Sequence, residues 1–122
     1  MAAGRSAVLL IWSFCFLAGA FNHSRDLIDG GLRVYTFAPL PLAVFWSALL
    51  PIDLLVVLLL WTRRAIGLWL GLAVMTADVA ANSWFAHVAA FPALAFALQL
   101  QTLFLGFVIG SIGWVMPRGR ER

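Results

Sequence analysis

Apolar residues fill four long blocks of the chain, and only short polar breaks separate them. The blocks do not alternate as a half-buried strand would. They run on for long enough to read as helices buried on all sides or immersed in lipid. The second covers about 41–61 and the third about 65–91, with Thr62, Arg63 and Arg64 between them, which predicts a tight antiparallel hairpin. The fourth covers about 92–116 and follows the third at Phe91-Pro92, where proline suits the first turn of a helix. The first block is clearly apolar only over 7–21, too short at ~1.5 Å per residue for a ~30 Å hydrocarbon core. It spans if its helix continues to about residue 28. An outer loop of about 29–40 then carries Gly30, Gly31 and Pro39. The pattern predicts an all-α fold, a transmembrane four-helix bundle forming a single domain over 1–122. A second reading of the first block is a signal peptide, with Arg5 as its basic start and Ala18-Gly19-Ala20 as a small-residue cleavage site.

Composition agrees. With 64% hydrophobic and 11% charged residues, a water-soluble domain would have too little polar surface to cover itself. All eight basic residues are arginine, and they lie at segment ends. With the N-terminus inside, Arg5, Arg63, Arg64, Arg118, Arg120 and Arg122 fall on the cytoplasmic side, and Arg25 and Arg33 fall outside. That bias places both termini in the cytoplasm. No basic stretch is interleaved with aromatics, so nucleic acid is excluded as a partner. Cys15 is the single cysteine, so no intrachain disulfide or C-x-x-C metal or redox motif exists, and no cofactor is implied.

The candidate chemistry lies inside the blocks. Asp53 and Asp78 each interrupt an apolar run, at a cost of ~2.5–3.5 kcal/mol for a charge at the bilayer centre. No arginine shares their depth. Two unpaired carboxylates cannot both stay ionised there: one or both are protonated, or a cation or cationic ligand sits beside them. The plainer alternative is a structural network, with protonated Asp78 hydrogen-bonded to Asn82 or Thr102 and Asp53 capped by a serine hydroxyl. Gly67, Gly71, Met75, Asp78, Asn82 and Ala86 recur at helical spacing on one face of the third block. On the fourth, Gln99, Thr102, Gly106, Gly110 and Gly113 do the same, so the two stripes are expected to face each other across a small-residue seam. Counting back from the Phe91-Pro92 turn puts Asn82 level with Gln101. Counting from Arg63-Arg64 puts Asp53 level with Val74 and Met75. The expected site is therefore Asp53, Asp78, Asn82, Gln99 and Thr102. An outer polar cluster is expected from His23, Asp26, Asp29 and His87; its spacing matches no ligand motif, and no metal is assigned. Trp46, Tyr35 and Trp84 read as an outer interfacial belt.

The run from Asp26 to Leu60, with Met75 to Phe85, resembles small uncharacterised bacterial membrane proteins of four spans, which implies a bacterial cytoplasmic membrane. The chain also resembles, in scattered acids, the sigma-2 receptor/emopamil-binding protein superfamily, compact helical bundles that bind sterol-like or cationic amphipathic ligands and in part isomerise sterols. Asp26 or Asp29 would match that family's first acid and Asp53 its second; Asp78 is a departure. The function expected is binding or transport of a proton, a cation or a cationic amphipathic ligand. The alternatives are an accessory subunit of a larger membrane complex and a membrane isomerase acting on a lipid. The expected partners are the lipid bilayer and a homo-oligomer or larger membrane complex.

Overall fold

All four apolar blocks fold as helices, each closing its backbone hydrogen bonds within itself, as a chain in hydrocarbon must. The computed structural model describes residues 2–31 and 35–119; Arg33, Arg120 and Arg122 of the orientation count lie outside them. Helix α1 is Ala2–Gly30, α2 Leu40–Thr62, α3 Arg64–Val88 and α4 Ala95–Val115, with a single 3₁₀ turn at Pro92–Leu94 leading into α4. Each of the four, α4 taken with its 3₁₀ turn, is long and apolar enough to cross a membrane, and no strand occurs among the described residues. The shortfall in the first block disappears because α1 continues past it at both ends, to 29 residues in all.

Neighbouring helices run antiparallel. Ser13 meets Trp61 and Gly19 meets Asp53 across α1 and α2; Trp46 meets Asn82 and Leu60 meets Gly67 across α2 and α3. Asn82 meets Gln101 across α3 and α4, and Trp12 meets Ser111 across α1 and α4. The bundle therefore has a hairpin end, at Arg63, and a loop end, where Gly31, residues 35–39 and the α3–α4 turn lie. Packing is closest between α1 and α2 and weakest between α1 and α4.

Two local devices set the turns. Arg63 alone leaves helical geometry between α2 and α3, and its N–H closes α2 on the Leu59 carbonyl at 2.7 Å. At the other end Ala90 takes a left-handed conformation, φ 47°, and the Phe91 N–H returns to the Ala86 carbonyl at 3.3 Å. This is the helix-ending motif that usually carries glycine, and alanine costs ~1–2 kcal/mol there. Phe91 offsets the strain by stacking on Phe37 at 5.5 Å and leaning on Phe85 at 5.7 Å.

The α3 stripe faces the core: Gly67, Gly71, Met75, Asp78 and Asn82 are all buried. A Cβ on Gly67 would stand 2.5 Å from the Leu60 nitrogen, so this glycine is what lets α2 and α3 close backbone to backbone. Gly71 makes room for the rings of Trp12 and Phe16. The α4 stripe does not face it. Gly106, Gly110 and Gly113 look onto open space, and Gln99 and Thr102 are exposed. The core-facing positions of α4 are Gln101, Phe104, Val108, Ser111 and Val115. Bulky Phe104 and Val108 turn inward because Trp12 and Phe16 of α1 supply an apolar surface for them. The expected belt is also corrected. Trp46 and Tyr35 are buried at 5% and 8% exposure, and only Trp84 lies outside.

A Gly67→Ala substitution is expected to lose about 1–3 kcal/mol by overpacking the α2–α3 contact. Gly113→Ala, entering open space, should gain about 0.5–1 kcal/mol from helix propensity. Unfolding of both variants in a lipid nanodisc measures the contrast.

Candidate functional site

Asp53 and Asp78 line one cavity of about 690 Å³ in the loop-end half of the bundle. The local sequence puts them there. On α2, Trp46, Leu49, Asp53, Val56 and Leu60 recur every three or four residues and form the buried face, while Pro51 looks outward. On α3, Asp78 and Asn82 lie one turn apart on the face whose glycines fix the packing.

Asn82 is the hub of the polar interior. Its carbonyl accepts the Trp46 indole N–H at 2.7 Å. Its amide donates to Asp78 Oδ1 at 3.1 Å and to Gln101 Oε1 at 2.8 Å. One side chain, 3% exposed, thus ties three helices together and uses both amide hydrogens in doing so. Asp78 is held by that network. Asp53 is not: among the described residues its carboxylate has no hydrogen-bond partner. It packs on Gly19 of α1, where a Cβ would stand 2.8 Å from Oδ2. Glycine is the residue that lets α1 pass this close to the acid. Among the described residues no arginine lines the cavity.

The loop end closes the cavity with a second network. The Tyr35 hydroxyl donates to Asp26 Oδ2 at 2.7 Å and lies 3.2 Å from His23 Nδ1. Tyr35 also meets the Trp46 ring edge-on at 5.3 Å. Burial, and then the neighbouring Asp26 carboxylate, push the Tyr35 phenol above its ordinary range, so it stays a neutral donor.

The gap between α1 and α4 gives the cavity its mouth. The two helices touch at Gly4–Trp114, Trp12–Ser111 and Phe16–Phe104, all toward the hairpin end. Beyond Phe104 the cavity lies between them, rimmed by exposed Ala18 and Asn22 of α1 and exposed Leu100 of α4. The opening thus faces sideways, onto the apolar flank of the bundle.

Of the residues expected from sequence, the structure brings together Asp53, Asp78, Asn82, His23 and Asp26. Gln99 and Thr102 lie on the far side of α4, and the Thr102 hydroxyl bonds back to the Leu98 carbonyl at 2.8 Å. Their intended place belongs to Gln101, which the depth count had already put level with Asn82. Asp29 and His87 are exposed and stand outside the cavity, and no group of side chains able to hold a metal occurs among the described residues. Trp46 and Tyr35 were missed as site residues. Trp46 was findable, because it sits seven residues before Asp53 on the same helical face.

Four helices of this length and apolarity, packed around a largely apolar cavity that holds two acids, define an integral membrane protein. The chain matches none of the protein families, curated proteins or solved structures with which it was compared.

Replacing Asn82 by leucine is expected to cost about 2–4 kcal/mol, since it strands the Trp46 N–H, the Gln101 carbonyl and Asp78 inside the bundle. Asp78→Asn keeps an acceptor for Asn82 and should cost less than about 1 kcal/mol. Thermal unfolding in nanodiscs separates the two.

Proposed function

We propose that this protein is a membrane-embedded binding module for a cationic amphipathic ligand. The observation that carries the reading is the Asp53 carboxylate, which among the described residues has no hydrogen-bond partner and shares its cavity with no arginine. A carboxylate in a low-dielectric site is stabilised by a cation close to it. Trp46 and Phe104 are among the aromatic residues of its wall, and an aromatic ring attracts a positive charge. The sideways mouth between α1 and α4 accommodates an apolar tail that stays in lipid while the headgroup enters. Asp78 adds negative charge from a position that Asn82 holds still. The arginine distribution supports placing both termini in the cytoplasm, with the loop end of the bundle toward the outer leaflet of a bacterial cytoplasmic membrane.

The test is native mass spectrometry of the protein in lipid nanodiscs, loaded with dodecylpentylamine. One amine should be retained per chain. Asp53→Asn should weaken retention about 10-fold or more, the scale of a lost hydrogen bond to a charged group. Asp78→Asn should weaken it less. Equal retention by the wild type and Asp53→Asn would overturn the reading.

The outward face of α4 favours a second role, assembly with a further copy or as an accessory subunit of a larger membrane complex. Gln99, Thr102, Gly106 and Gly110 are exposed there on one apolar helix. Small residues of this kind let two helices approach closely in lipid. A Gly106→Leu/Gly110→Leu double variant is expected to convert an assembled form to a single chain, read as mass per nanodisc. An unchanged mass would remove this face from the assembly.

A further inference from the structure

The hydrogen bonds at the loop end determine which nitrogen of His23 carries the proton. Tyr35 has one hydroxyl hydrogen, and it goes to the Asp26 carboxylate, which only accepts. The contact between Tyr35 and His23 Nδ1 at 3.2 Å then requires the ring to donate from Nδ1. In the neutral imidazole this leaves Nε2 as a bare lone pair. Nε2 has no partner among the described residues, and His23 lines the same cavity as Asp53. The cavity therefore holds an anionic acceptor at one depth and a neutral acceptor nearer the loop end. They lie along one side of α1: Gly19 touches Asp53, and His23 follows four residues later, about 6 Å further along the helix.

We propose that the cavity is built for an amphipathic amine carrying a hydroxyl group some 6 Å from its nitrogen, the ammonium at Asp53 and the hydroxyl donating to His23 Nε2. The inference rests on the binding role proposed above and adds the second polar end of the ligand. A hydroxyl is the matching group because Nε2 accepts one hydrogen bond and carries no charge. A second ammonium would instead be drawn to Asp26, which Tyr35 already occupies. Asp26 and Tyr35 act as positioning residues, since they reach the ligand only by fixing the tautomer of His23.

A matched pair of probes tests this. One is dodecylpentylamine; the other is the same secondary amine with a terminal hydroxyl on its five-carbon arm. The wild-type chain in nanodiscs should hold the hydroxylated amine about 3- to 10-fold more tightly, the scale of one neutral hydrogen bond. His23→Asn should abolish that preference and still bind both amines. Its carboxamide can donate to Tyr35 from the position of Nδ1, but it has nothing in place of Nε2. Asp53→Asn should weaken both probes and keep the ratio between them. If the wild type binds the two amines equally, or His23→Asn keeps the preference, the inference is overturned while the binding role stands. If neither amine binds, both are overturned.

Discussion

The constraint on which this structure depends is that a polar atom inside an apolar bundle must find its partner there. Asn82 meets it for three helices at once, accepting from Trp46 on α2, holding Asp78 on its own helix and donating to Gln101 on α4. In a bundle whose outside is as apolar as its inside, hydrophobic burial alone says little about which faces should meet. A side chain with three satisfied hydrogen bonds does, because any other rotation of α3 or α4 would strand buried donors and acceptors. Gly67 and Gly71 serve the same end sterically, by letting α2 and the α1 aromatics come close enough for that network to form.

Asp53 is the exception, and the exception gives the cavity its chemistry. Its carboxylate rests on Gly19 and faces the open space between α1 and α4. The α1–α4 seam is firm where Trp12, Phe16, Phe104 and Ser111 interlock, and it parts toward the loop end. A bundle held tightly on three sides and loosely on the fourth can keep its acidic groups in register while leaving a way in from the side. The loop end is closed by another set of contacts, in which Phe37 and Phe91 stack and Tyr35 bridges Asp26 and His23.

Depth was more legible in the sequence than facing. Counting residues from the turns placed Asn82 level with Gln101, and the two are hydrogen-bonded. The rise of a helix is constant, so depth follows from turn positions alone. The facing of α4 did not follow. Gln99, Thr102 and three glycines form a periodic stripe that looks like a seam, yet it points outward. On a helix apolar all round, two stripes compete for the core. Phe104, Val108 and Ser111 win because α1 presents aromatic rings and an indole N–H to them. That complement lies about ninety residues away in the chain. Trp46 shows the same limit from the other side. Its sequence position near a helix end reads as interfacial, but the loop carrying Tyr35 and Phe37 folds over it.

The sequence by itself determined four apolar helices, their order, the tight hairpin at Arg63 and the presence of two acids in the middle of two of them. Those features depend on local composition and helix rise, which need no knowledge of neighbours. The tertiary structure decided what surrounds the acids. It gave Asp78 a fixed partner in Asn82, left Asp53 facing a cavity, moved the α4 contribution from Gln99 and Thr102 to Gln101, and brought His23, Asp26 and Tyr35 to the same space. Each of these turns on helix rotation and on the width of the α1–α4 seam. Both are set by side chains far apart in the chain, and in a bundle this apolar no single segment carries them.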